Sequence, residues 1–291
     1  MKNDFELFSD SCANLSDAQI DELGVNIIAL KFVVDGELRP SYVKGRENNL
    51  KPFYDILRNG KVLTTSSLNE QEYIEAFTPA LENGKDVLYL GFSSGLSLSF
   101  SSSLSAKATL EAKYPDRKII CIDTLAASYG QGLLVYYAAK MKNTGKTIDE
   151  IAAWNEENKL KLAHWFTVED LIYLFRGGRV KRVSYWIGKI AQIKPVLHVD
   201  NNGHLIPVYK VIGRKKSIAK LAEKIAETIT EPEKQVIFVA HGDCENDANI
   251  LVEKIKSLIP VKDFVLNILD PVIGCHSGPG TLAVFALATE R

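Results

Sequence analysis

Three times within the first 130 residues, a short apolar run opens into a polar loop and then into a helical pattern. Val62-Leu63 leads into Thr64-Thr65-Ser66-Ser67, with a helix expected over 69–81. The run over 86–92 leads into Ser93-Ser94-Gly95-Leu96-Ser97, followed by a helix rich in small residues through Lys113. A third run, over 118–122, ends at Asp123-Thr124 before a helix that starts near Ser128. Strand, polar loop and helix in repetition is the rhythm of a mostly parallel sheet covered by helices. Such sheets bind ligands beyond the carboxyl ends of their strands.

The flanking text fills in the rest. A short strand is expected over 5–9, and Ser16 with Gln19 reads as a capping box opening a helix. Residues 25–34 read as one buried strand, turned back at Asp35-Gly36 into a returning strand over 38–43, with a helix over 53–58 after it. Beyond Gly145 the pattern changes. One helix is expected over 148–165, and another over 168–174 is stopped by Arg176-Gly177-Gly178-Arg179. A hairpin over 195–199 and 205–210 turns at Asn201-Asn202-Gly203, and two further helices and strands follow. Residues 271–280 read as a loop and 282–288 as a closing apolar strand. The fold class is therefore α/β. An N-terminal, mostly parallel α/β domain over 1–160 is joined to a C-terminal α+β domain over 161–291. The 291 residues suit two ordinary domains at about 150 residues each.

Composition narrows the function classes. With 46% hydrophobic and 24% charged residues the chain is an ordinary globular one, not disordered or collagenous. Lys and Arg total 35 against 36 Asp and Glu, a net charge of −1, so the overall charge does not point to nucleic acid. No apolar run approaches the ~18 residues of a membrane span, and acids occupy the start where a signal peptide is apolar. A cytoplasmic location is expected. Cys12, Cys121, Cys244 and Cys275 have neither CxxC nor zinc-ligand spacing and read as free thiols, and no metal site is expected.

The candidate chemistry lies in the loops. Hydroxyls at Thr64–Ser67 and Ser93-Ser94, each ahead of a helix, suit an anion at a helix N-terminus, although a single such loop is as well explained by capping. His276-Ser277-Gly278-Pro279-Gly280 reads as a fixed turn around one histidine. Two basic tracts, Arg176 and Arg179 continuing to Lys181-Arg182, and Arg214-Lys215-Lys216, would meet an anion or an acidic partner. Gly91-Phe92-Ser93-Ser94-Gly95 also matches the short Gly-x-Ser-x-Gly elbow of serine hydrolases, with His241 or His276 as base and Asp243 or Asp270 as acid. An esterase using Ser93 is therefore the alternative.

Read in order, these pieces resemble the DegV family of bacterial fatty-acid-binding proteins. The marks are Asp10-Ser11, Thr65-Ser66, Ser93-Ser94-Gly95-Leu96-Ser97, Asp123-Thr124 with Gly130-Gln131-Gly132, and Gly177-Gly178-Arg179. Lys194-Pro195, Arg214-Lys215-Lys216, His241-Gly242 and His276-Ser277-Gly278-Pro279-Gly280 complete the series. The resemblance implies a two-domain carrier that has no catalytic turnover of its own and binds no cofactor. One long-chain fatty acid lies in an apolar tunnel, with its carboxylate at the domain interface. It implies that Thr65, Ser66, Ser93, Ser94, His276 and Arg179 surround the carboxylate. Arg214 would face the phosphate or dock the catalytic subunit of a fatty acid kinase, which makes an acyl-phosphate for phospholipid synthesis. Transient membrane contact during loading is a further expectation, and a carrier of another lipid is a second alternative. Phe92, Phe100 and Ile28 are candidates for tunnel lining or for ordinary core. Leu98 stands where the family usually has Gly.

Overall fold

A computed structural model describes residues 4–45, 49–180 and 193–291. Lys181 and Arg182 lie outside the described residues. In chain order the N-terminal part holds β1 (Phe5–Asp10), α1 (Asp17–Leu23), β2 (Val25–Ile28), β3 (Lys31–Val34) and β4 (Glu37–Pro40). It continues with α2 (Lys51–Arg58), β5 (Thr64–Ser66), α3 (Glu70–Glu82), β6 (Asp86–Gly91) and α4 (Ser99–Lys113). Then come β7 (Ile119–Asp123), α5 (Tyr129–Asn143) and α6 (Ile148–Asn158). The C-terminal part holds β8 (Leu162–Thr167), α7 (Ile172–Arg176), β9 (Ile193–Val199), β10 (Leu205–Ile212) and α8 (Arg214–Thr228). It closes with β11 (Val236–His241), α9 (Glu245–Leu258), β12 (Asp263–Ile268), α10 (Pro271–Ser277) and β13 (Leu282–Leu287).

Four strands in the order β2-β1-β6-β7 form a wholly parallel sheet. Six form a mixed sheet, β10-β9-β8-β13-β11-β12, in which only β11 and β12 run parallel. The expected α/β and α+β halves are both present. Local chemistry explains several boundaries. Ser16 accepts from the Gln19 amide while the Gln19 side chain returns the bond, so α1 starts on the expected capping box. Asp35 and Gly36 both have positive φ, 55° and 80°, the geometry of a type I′ turn joining β3 to β4.

Four expectations are corrected. The run over 25–34 is two strands, β2 in the parallel sheet and β3 in a separate antiparallel sheet of order β4-β3-β5. The hydroxyls at 64–66 are therefore not a loop at the end of a parallel strand. They are β5 itself, with Thr65 opposite Phe32. The pattern over 148–165 breaks after Asn158, and buried β8 lies at the centre of the mixed sheet between β9 and β13. Residues 271–277 form helix α10, not a loop, because Asp270 accepts from the Val272 amide as N-cap and Pro271 occupies the first turn.

The carboxyl end of β1 is locked by Asp10, which is fully buried. Its carboxylate accepts the Cys12 amide, the Phe92 amide and the Tyr89 hydroxyl. Burial raises its pKa, while these donors act in the opposite direction. The Tyr73 hydroxyl bonds Tyr89 in turn, at 2.8 Å. This network fixes where the loop carrying Ser93 leaves β6. Tyr89→Phe is expected to destabilise the protein by about 1–3 kcal/mol, because Asp10 and Tyr73 each lose a buried partner. Urea unfolding of the two proteins side by side measures this.

Candidate functional site

An apolar cavity lies where the N-terminal strand ends, β5 and α10 meet the mixed sheet. It occupies about 770 Å³, its opening included. Phe92, Leu96 and Ala127 line it from the N-terminal part, and Phe166, Val272 and Phe285 from the C-terminal part. Of the three aromatic or aliphatic candidates, Phe92 is on this wall, whereas Ile28 and Phe100 are not.

The polar end is built from three elements. Thr65 on β5 has its Oγ1 2.8 Å from Nε2 of His276 on α10. Arg179, just beyond α7, donates from Nε to the Leu96 carbonyl at 3.2 Å and from Nη1 to the Gly177 carbonyl at 2.5 Å. Ser66, Ser67 and Ser97 complete the wall, with the Ser67 and Ser97 hydroxyls 3.1 Å apart. Burial lowers the Arg179 pKa, and among the described residues no carboxylate lies within ion-pair distance of it. A guanidinium stays protonated in proteins all the same. Among the described residues the site therefore holds a partly desolvated positive charge with no negative partner.

His276 is neutral in this setting. Burial, and then the neighbouring Arg179 charge, bring its pKa down to about 4. Its Nδ1 is buried with no hydrogen-bond partner. Gly177 lies directly against this ring: a Cβ there would sit 2.3 Å from Nδ1, so the glycine leaves space for the histidine. Thr65, Arg179 and His276 also line a second cleft of about 740 Å³, open to solvent, which Lys61 and Arg176 border. Lys61 pairs with Asp35. Arg176 is exposed and has no carboxylate partner among the described residues.

The structure brings Thr65, Ser66, Arg179 and His276 together and places the other predicted residues elsewhere. Ser93 is wholly buried, donates to the Gly203 carbonyl at 2.9 Å, and accepts the Gly95 amide. Ser94 is exposed, and its amide bonds Asp123. Neither serine lines the cavity, and neither caps a helix, since α4 starts only at Ser99 and α3 is capped by Asn69. The hydrogen bonds of the hydrolase arrangement are not made among the described residues: the Ser93 hydroxyl goes to the Gly203 carbonyl rather than to a histidine, and the Nδ1 atom of His241 accepts the Cys244 amide. Arg214 also lies off the cavity, bonded through Nε to Asp247 at 2.8 Å and close to Cys244 Sγ. Leu98, at the usual Gly position, is 74% exposed and has an ordinary negative φ of −78°. Sequence reasoning missed Ser97 as a lining residue and Gly177 as the backing of His276. The four cysteines are free.

A family model described as "Uncharacterised protein, DegV family" matches residues 4–289. A DegV domain-containing protein of Clostridium perfringens is 45% identical over 99% of this chain and 98% of its own. One from Streptococcus pyogenes is 33% identical over 97% and 98%. Among solved structures, a DegV lipid-binding protein from Thermotoga maritima superposes with a TM-score of 0.86 at 29% identity, covering 99% of each chain. A second T. maritima protein, described as having a fatty acid binding function, gives 0.83 at 29% identity, over 97% of this chain and 98% of its own. A fatty-acid-binding DegV protein from Thermus thermophilus gives 0.87 at 25% identity, over 98% and 99%.

Two expectations follow from the geometry. Ser93→Ala should cost about 1–2 kcal/mol of stability, because the Gly203 carbonyl and the Gly95 amide lose a buried partner, which urea unfolding will check. His276 has a folded pKa near 4 against an ordinary 6.5, so the unfolded chain binds the extra proton in that window. Stability in the empty protein therefore falls as pH drops from 6.5 towards 4. Read as urea midpoints across the same pH range, His276→Gln should lessen that slope without abolishing it, since burial also lowers the pKa of His164, His198 and His241.

Proposed function

Because this chain belongs to the DegV family, we propose that it is a carrier holding one long-chain fatty acid. The acyl chain lies in the cavity, and the carboxylate lies against Arg179, Thr65 and His276, with Ser66 and Ser97 supplying further hydroxyls. The observation that carries this reading is Arg179, an unneutralised guanidinium at the rim of an apolar cavity. Each methylene buried contributes about 0.8 kcal/mol, so a long chain is held strongly. Its carboxylate must leave water, which is costly unless it is paired and hydrogen-bonded. Arg179 provides the charge, and the hydroxyls with the neutral His276 provide donors. The fatty acid binding described for the T. maritima and T. thermophilus relatives supports the same reading.

The bound carboxylate would face two ways. Thr65, Arg179 and His276 border both the apolar cavity and the second cleft, which Arg176 also lines. A carboxylate held there keeps an oxygen accessible from outside, beside the cationic Arg176. This supports the finer proposal that the protein presents its ligand, in the cytoplasm, to a separate ATP-dependent fatty acid kinase. In that step the carboxylate oxygen forms a bond to the γ-phosphorus of ATP as the bond to the ADP oxygen breaks. The product is an acyl-phosphate for phospholipid synthesis. Arg214, with Lys215 and Lys216 at the start of α8, is the proposed docking point for that partner. Transient membrane contact for loading belongs to the same proposal. No helix among the described residues is long and apolar enough to cross a membrane.

Denaturing extraction of the purified protein, followed by mass spectrometry, should yield close to one fatty acid per chain. After delipidation, Arg179→Gln should bind hexadecanoic acid about 10–100-fold more weakly, the scale of a charged hydrogen bond. An empty extract together with no uptake of added acid, or an unchanged affinity in Arg179→Gln, would overturn the reading.

A further inference from the structure

The cavity has a second polar place, distinct from the carboxylate end. Ser128 stands at the N-terminus of α5 with φ 53° and ψ −141°, a conformation that residues other than glycine rarely adopt. A serine there ordinarily caps the helix with its hydroxyl, but this one makes no capping bond. Its Oγ is buried without a partner among the described residues, in a residue only 4% exposed that lines the cavity.

His164 on β8 lines the same cavity and is 2% exposed. Its Nε2 lies 2.9 Å from the Ala127 carbonyl, which can only accept, so the ring proton sits on Nε2. That leaves Nδ1 as a bare acceptor, and it too is buried without a partner. Burial and the Arg291 charge keep the ring neutral. The chain makes room for it with Gly130, where a Cβ would sit 2.2 Å from the ring. Neither Ser128 nor His164 borders the open cleft that Thr65, Arg179 and His276 share.

Buried polar atoms are almost always paired, and here two residues that line one apolar space each carry an atom, of complementary kind, with no partner among the described residues. We propose that Ser128 Oγ and His164 Nδ1 together receive a hydroxyl carried on the acyl chain, so that the protein takes hydroxylated long-chain fatty acids. The inference rests on the fatty-acid reading and adds a second contact to it. A hydroxyl satisfies both partners at once, donating to Nδ1 and accepting from the serine. A ketone serves only the serine, a methylene serves neither, and a second carboxylate would set its lone pairs against Nδ1.

The test is equilibrium binding to the delipidated protein, comparing octadecanoic acid with a positional series of monohydroxyoctadecanoic acids. At least one positional isomer should bind about tenfold more tightly than the parent acid, the scale of one to two buried hydrogen bonds. That ratio should collapse towards one in Ser128→Ala and in Ser128→Gly, the second of which also suits the positive φ. Tight binding of octadecanoic acid with no isomer preferred, or a preference that survives in both variants, overturns the second contact and leaves the carrier reading standing. If no acid binds, octadecanoic acid included, both readings fail together.

Discussion

The cavity exists because side chains of each part of the molecule hold main-chain carbonyls of the other. Asn14, itself in the left-handed region, donates to Ile268, and its Oδ1 takes the Asp270 amide. The Tyr54 hydroxyl donates to Leu269, Tyr173 to Leu57, Ser93 to Gly203 and His164 to Ala127. Arg291 reaches Leu125 and Thr124, and Arg179 reaches Leu96. Most of these carbonyls lie at the ends of strands and helices or in the loops beyond them, where ladder partners run out and a buried oxygen still needs a donor. The same bonds that satisfy those ends bring the two sheets close enough to enclose a cavity. Residues at the junction inherit their positions from this. Asn14 and Asp270 anchor the start of α10, and α10 carries His276 at its other end.

This mode of attachment also explains how much of the molecule could be read from its sequence. Local signals were legible: the Ser16 capping box, the Asp35-Gly36 turn and the apolar strands of the parallel sheet all rest on neighbouring residues. Thr65, Arg179 and His276 were legible as polar residues in patterned segments, and all three line one cavity. The role of Ser93 was not. Its hydroxyl lies in a hydroxyl run that looks like an anion site, yet its partner is the carbonyl of Gly203, and a carbonyl leaves no mark in a sequence. Ser97 was hidden for the converse reason, since the chain must bend back after Leu96 before that side chain can face Ser67. The strand over 162–167 was lost inside a longer helical pattern, because a strand buried on both faces shows no alternation.

The electrostatics of the polar end divide the work between two basic residues. Arg179 keeps its charge through burial, while His276 gives its charge up, so among the described residues the pocket presents one fixed cation and one neutral ring. The ring's Nδ1 stays unpaired and faces Gly177, whose missing side chain leaves the place clear. With a single cation the site matches a single anionic group in charge. The hydroxyls then set geometry without altering that match.

A consequence follows from the unneutralised guanidinium for the lifetime of the chain. Whatever anion fills that place binds the folded form alone, and so adds to the free energy of unfolding by mass action, about 2.7 kcal/mol at a hundredfold excess over its dissociation constant. An emptied molecule keeps the desolvated charge without that compensation and opens more often. Proteolysis tracks the open population when opening is fast compared with cleavage. On the proposed carrier reading, occupancy is thereby recorded as resistance to degradation.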